Sequence, residues 1–432
     1  MEDVNALYLN ILRRELIPAM GCTEPIAIAY ASAKARDVLP EAMTHVKLYC
    51  SGNIIKNVKS VTVPNSGGMK GIEAACALGV TGGNSDKALN VIADATDEDR
   101  RKAAALLESG FAEVHLEDDV PNLYVRVEAT SASHTAEVII EKKHTNITYI
   151  RRDKEVLLNA RDTIAAADDT EHDESYDQMT LQGLLAFTDS VAIEEVKDIL
   201  DRQIAYNKAI SQEGLDNAWG AGVGKTILES FGDDVRSMAV ARAAAGSDAR
   251  MSGCPKPVII NSGSGNQGIT VTMPVLEFAR AYHVSDEKRY RALILSNLVS
   301  IYIKHYIGYL SAFCGAVSAA CGAGAAITYL SGKGYAHIAR TITNTLGNVG
   351  GIVCDGAKPS CAAKIAASVH AAILAHYMSV SDRAFSGGEG IVEADVEETI
   401  RNIGYIGKVG MKDTDKQILN VMIDQVDVTN AF

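Results

Sequence analysis

Between His305 and Lys333 no residue carries a formal charge. A stretch of that length must either cross a bilayer or lie inside a protein core. Its composition separates the two. It is rich in Ala, Gly, Ser and Cys and has Leu only at positions 310 and 330. That suits a central helix packed closely on several sides better than a lipid-facing one. A chain of 432 residues, 47% of them hydrophobic, has ample material for the core such a helix needs. Aromatics make up only 6%, so many helices with small side chains at their crossings are expected. The net charge of −13 argues against nucleic acid or an anionic membrane as partner, because both call for a basic face. A small anionic substrate needs only one or two local cations. The opening MEDVNALYLN has neither a basic n-region nor an apolar h-region, so a cytoplasmic location is expected.

Around that central stretch the periodicity changes along the chain. Residues 2–38 read as two helices broken at Pro18 and Gly21, with Glu24 and Pro25 placed where a helix begins. HVKLYC (45–50) and KSVTVP (59–64) alternate like strands around a turn-like SGN. Three helical stretches follow, near 69–79, 85–93 and 97–109. Four short β-like runs come next: AEVHLE, LYVRVEA, TAEVIIE and NITYI. From 153 the pattern is mainly helical to about 425, except for PKPVIINSGSGNQGITVTMP (255–274), which reads as β-like around a Gly-rich loop. The expected fold class is α+β. A mainly helical catalytic domain is built from both chain ends (1–40 and 151–432) and carries an inserted α/β domain (41–150). Its Ala-rich helices are compatible with a homodimer.

Two glycine motifs imitate nucleotide sites. GVGKT (222–226) lacks the first glycine of a phosphate-binding loop, since position 219 is Trp, and no apolar strand precedes it. GSGNQG (263–268) follows the strand-like PVII, but ITVTMP does not read as the helix a dinucleotide loop should open. A small-anion loop, with backbone N–H groups and the Asn and Gln amides, fits it better.

The eight cysteines are expected to be reduced: core fillers, metal ligands or nucleophiles. Three contexts stand out. PAMGCTEP places Cys22 just before a helix. SAFCGAVSAAC carries Cys314 and Cys321. VCDGAKPSC places Cys354 in a Gly/Pro turn and Cys361 at the next helix start. Thiolates beside glycines and helix N-termini are stabilised by local N–H groups and the macrodipole. Iron–sulfur clusters need such sites. Free cysteine is also among the most buried residue types, and Cys50, Cys76, Cys254 and Cys321 read as core.

At these residues the chain resembles the iron–sulfur L-cysteine desulfidases, relatives of the α chain of bacterial L-serine dehydratase. Six blocks carry the resemblance in one order: ELIPAMGCTEPIAIA (15–29), SGNIIKN (51–57), SGGMKGIEAACALG (66–79), NSGSGNQGI (261–269), FCGAVSAACGAG (313–324) and GNVGGIVCDGAKPSCAAK (347–364). The resemblance implies a lyase that eliminates sulfide from L-cysteine, leaving pyruvate and ammonia. It implies a [4Fe–4S] cluster on three thiolates and no pyridoxal phosphate. The matching ligands are Cys22, Cys314 and Cys354, with Cys361 in reserve. Thr23, Asn53, Lys56, Lys70, Ser262, Ser264, Asn266 and Gln267 are candidates to bind the substrate. Glu24, Asp355 and Lys358 are candidates for proton transfer. Two alternatives stand beside this reading: an L-serine/threonine ammonia-lyase with the same cluster, and a non-enzymatic protein with reduced core cysteines.

Overall fold

A computed structural model describes residues 2–161, 174–308, 310–423 and 425. The uncharged stretch becomes a loop followed by the helix Gly315–Leu330, buried along nearly its whole length. Four helices surround it: Gly265–Ala281, Asp286–Ile307, Tyr335–Val349 and Cys361–Val380. Small residues permit this. The backbone of Gly322 lies against the Ser296 carbonyl, where a Cβ would collide. Among the described residues one helix, Cys361–Val380, is long and apolar enough to cross a membrane, and 56% of its most apolar window is buried inside the protein.

The second layer is a six-stranded mixed sheet: β2 (His45–Cys50), β3 (Ala112–Leu116), β4 (Tyr124–Thr130), β5 (Thr135–Glu141), β6 (Ile147–Arg152) and β7 (Glu155–Asn159), in the order β3-β2-β4-β5-β6-β7. Only β2 and β3 pair in parallel. Val46, Leu48 and Cys50 on β2 and Val125, Val127 and Ala129 on β4 point to one buried face, as strand alternation requires. The helix Thr23–Val38 lies across β4 and β5 and against the helix Ile72–Gly82. The fold class is therefore α+β, a helical assembly carrying a mixed sheet.

A two-stranded ribbon ties distant parts together. β1 (Pro18–Met20) pairs antiparallel with β8 (Pro257–Ile259), Ala19 opposite Val258. Beneath it a buried amide network holds β8 and the loop after it. Asn207 accepts from the Ile259 N–H at 2.9 Å, Gln203 and Asn297 exchange amide bonds at 2.9 Å, and Asn261 donates to Asn297 at 3.0 Å.

Three local readings are corrected. KSVTVP is not a strand: Val61 and Val63 are buried as their alternation suggests, but the segment makes one isolated bridge, Thr62 to Lys70. SGN is no turn, because the helix Gly52–Val58 starts directly after Ser51, whose hydroxyl donates to the Asn122 carbonyl at 2.7 Å. The β-like run 255–274 holds only the three residues of β8; from Gly265 it is helix, with Pro274 inside. That helix is buried on nearly every side from Gln267 to Val275, so it shows no amphipathic period. The Thr270 and Thr272 hydroxyls each donate at 2.7 Å to the carbonyl four residues back, which satisfies them inside the helix.

Candidate functional site

Two strand-like pairings bring the cysteines together. The β1–β8 ribbon sets Cys22, the residue before the Thr23–Val38 helix, beside the loop 261–264. The Thr23 hydroxyl lies 3.2 Å from the Gly263 carbonyl and 3.2 Å from Glu24 Oε2. On the opposite side Phe313 bridges Val353; the Cys314 N–H donates to Ile352 O at 3.0 Å, and the Cys354 N–H donates to Ala312 O at 2.6 Å. The turn after Cys354 continues to Gly356, at φ +96°, whose missing Cβ lets it press on the Lys56 carbonyl. Cys361 then opens the helix behind it.

The result is one cavity of about 120 Å³, lined by Cys22, Cys314, Cys354 and Cys361 together with Glu24, Arg250 and several amides. The Cys314 thiol donates to Cys354, which raises Cys314. The same bond holds Cys354 below the usual thiol range against the effect of burial, with Lys56, the Gly356 N–H and Lys304 assisting. Burial raises Cys361. Burial and the neighbouring Glu24 push Cys22 well up. Its Sγ donates to Glu24 Oε2 at 2.9 Å, and Asn57 Nδ2 donates to Glu24 Oε1 at 2.9 Å. Burial would raise Glu24 too, but His144, the Cys22 thiol and Arg250 outweigh it and hold the carboxyl below its ordinary range. Glu24 is thus an ionised, hydrogen-bonded carboxylate in the cavity wall.

Among the described residues no three His, Cys, Asp or Glu side chains converge tightly enough to hold a single metal ion. A cubane cluster asks for something else, since each thiolate binds a different iron. Thiols spread around one cavity, with a cation and backbone N–H groups beside Cys354, fit that demand.

The residues singled out in the sequence divide into two groups. Thr23, Glu24, Asn53, Lys56, Ser264, Asn266 and Gln267 line the cavity. Lys56 is buried there and its ammonium is held by Asp415. Gln267 Oε1 accepts from Ser318 at 3.3 Å. Asp355, Lys358, Lys70 and Ser262 are not in the wall. Asp355 pairs with both Lys358 and Lys364. Lys70 is exposed, and the Ser262 hydroxyl donates to Asn261 at 3.1 Å. Cys50, Cys76, Cys254 and Cys321 are buried away from it. Asn57, Arg250 and Lys304 also line the cavity, though none stands among the sequence candidates; Asn57 ends the SGNIIKN block, while Arg250 and Lys304 lie outside every block. The GVGKT segment opens the helix Val223–Phe231 from Gly222 in the left-handed region and takes no part in the cavity.

Residues 86–420 of the chain are matched by the family model of the serine dehydratase alpha chain. The chain belongs to that family, a lyase-like lineage. Among its relatives are the UPF0597 proteins of Desulfitobacterium hafniense (50% identical over 418 residues, 97% of this chain and 96% of the relative) and Finegoldia magna (47% over 420 residues, 97% and 99%). That of Fusobacterium nucleatum is 42% identical over 430 residues, covering 98% of this chain and all of the relative.

Proposed function

We propose that this protein is a [4Fe–4S]-dependent L-cysteine desulfidase, a carbon–sulfur lyase yielding sulfide, pyruvate and ammonia. One observation carries the reading most of the way: four thiols from three distant segments meet in one cavity whose wall also holds an ionised carboxylate and a buried guanidinium. Cys22, Cys314 and Cys354 would hold the cluster, with Cys361 beside them. Once bound, the cluster would supply a Lewis-acidic iron able to stabilise a sulfur leaving group.

The chain's own residues supply the rest. Cys22 would bind the cluster as a thiolate, its proton, now shared with Glu24, having passed to solvent on assembly. That frees Glu24 Oε2 to accept a proton from the substrate Cα. Asn57 and Thr23 hold the carboxylate in place meanwhile. Asp355, bound to two lysines outside the wall, positions the turn between Cys354 and Cys361. Cys22 and Glu24 are both buried, which favours proton transfer between fixed groups. Pyridoxal phosphate has no role in this scheme, because assistance falls on the leaving group.

The test is anaerobic reconstitution followed by assay. About four irons per chain with matching sulfide, and hydrogen sulfide released from L-cysteine, are the expected results. Glu24→Gln should keep the cluster absorbance and lose at least about 100-fold in turnover. Ammonia release from L-serine or L-threonine in place of sulfide release would assign the protein to the ammonia-lyases. Failure to take up iron would make the cysteines packing residues.

A further inference from the structure

The cavity wall contains polar atoms that the fold does not satisfy. Arg250, in the last turn of the helix Val235–Met251, is 3% exposed, and its Nε has no hydrogen-bond partner among the described residues. Its charge acts on Glu24 across the cavity, but a buried N–H donor left without an acceptor is still expensive. The fold nevertheless makes room for it. Gly265 faces the guanidinium, and a Cβ there would sit 2.8 Å from Arg250 Cζ. The lysines that sequence alone would offer as anion clamps are engaged or absent from the wall: Lys56 by Asp415, Lys358 by Asp355, and Lys70 at the surface.

A second set of atoms has the opposite character. The carbonyl oxygens of Asn53, Asn57 and Asn266 are buried, line the same cavity and accept no hydrogen bond among the described residues. For Asn57 the orientation is chemically fixed. Its Nδ2 donates to the Glu24 carboxylate at 2.9 Å, so the oxygen must face the other way. An amide reversed at that position would set oxygen against carboxylate. Asn57 is 7% exposed.

A buried guanidinium with an unmet donor and a set of buried acceptors without donors ask for a ligand bearing an anion and an N–H cation a short distance apart. We infer that the cavity is built to read both ends of an α-amino-acid zwitterion: Arg250 takes the carboxylate and Asn57 Oδ1 the ammonium. The inference rests on the amino-acid substrate of the proposed reaction and adds the residues that select it. It places Cα between the two, beside the Glu24 carboxylate that Asn57 orients. A thiol lacking either end would bind with one half of the site unpaired.

The test uses the anaerobically reconstituted protein and isothermal titration with three probes: L-alanine, with both ends and no leaving group, 3-mercaptopropionate without the ammonium, and cysteamine without the carboxylate, the two thiols being checked for sulfide release during the titration. Arg250→Gln should weaken L-alanine and 3-mercaptopropionate by at least about 30-fold, the loss expected when one member of a buried charge pair is removed, and leave cysteamine unchanged. Asn57→Leu should weaken L-alanine and cysteamine by about tenfold and spare 3-mercaptopropionate. Arg250→Lys should recover part of the L-alanine affinity. Equal loss of all three probes in either variant, or loss of iron in Arg250→Gln with affinities otherwise intact, would overturn the inference and leave Arg250 as a counter-charge for the thiolates. The crossed pattern in a protein that releases no sulfide would keep the zwitterion site and reject the desulfidase reading. Sulfide release without the crossed pattern would do the reverse.

Discussion

At the scale of single residues, burial decides which groups titrate. His376 is 1% exposed in the helix Cys361–Val380, with Nδ1 3.0 Å from the Thr328 hydroxyl and Nε2 3.4 Å from the Tyr282 hydroxyl. Burial lowers its pKa to about 4. The unfolded chain, near 6.5, therefore takes up the proton first as the pH falls. The neutral imidazole contributes stability that is present above pH 6.5 and is lost as the pH falls toward 4. Between pH 7 and pH 5 the loss should be about 2 kcal/mol. Denaturant unfolding at both values, in the native chain and in His376→Gln, checks this: the native protein should lose that much more than the variant, and equal losses would show that His376 does not carry the dependence. Residue by residue, the sequence marked the site unevenly. Cys22, Cys314 and Cys354 were legible because glycines and helix starts flank them. Arg250 was not, because ARAAAGSDARM reads as one more Ala-rich helix. Its meaning comes from Gly265, fifteen residues on in sequence and directly across from it in space.

At the scale of elements, close backbone approach replaces large side chains as the means of fixing geometry. Gly268 is pressed so closely on the Ile259 carbonyl that a Cβ would sit far inside any contact distance from the oxygen. Gly268→Ala should push the helix Gly265–Ala281 off β8 at a cost of about 1–3 kcal/mol or more. Because β8 carries Cys22 through the β1 ribbon, iron uptake should fall as well. Gly351→Ala, where nothing lies within 4 Å of a built Cβ, is the control and should change neither. A Gly268→Ala protein with unaltered melting and full iron would show that this contact does not position the site. The same packing explains which elements the sequence disclosed. β2 and β4 bury one face and alternate accordingly, whereas β5 alternates only as far as Val138. The Gly265–Ala281 helix is enclosed on nearly every side and carries β-branched residues, so its pattern imitates a strand. β7 is exposed at all five positions, and an edge strand without a buried face leaves no period to read.

At the scale of the whole molecule, the end of the chain closes the site assembled from its beginning. The helix Lys412–Met422 packs on the Gly52–Val58 helix. Leu419 covers Gly52, the Met422 carbonyl accepts from Lys59, and Asp415 pairs with Lys56. A larger cavity of about 400 Å³, bordered by Lys142, Lys408, Lys412 and Asp415, adjoins the cysteine cavity through the shared residues Leu310 and Ser311. Lys56 is 2% exposed, so Asp415 is the counter-charge that makes its burial tolerable. Asp415→Asn should therefore destabilise the protein by about 3–5 kcal/mol, since breaking a buried pair strands the remaining charge. Lys56→Met in the same chain should restore most of that, because an apolar side chain of similar length removes the stranded ammonium. The comparison separates two roles for the lysine. If the double variant regains stability and still takes up iron, Lys56 serves to join the two ends of the chain. If it regains stability but no longer takes up iron, its charge beside Cys354 is needed for the thiolate as well. A single Asp415→Asn variant as stable as the native chain would show that Lys56 finds another acceptor, and the closing role of the C-terminal helix would fall with it.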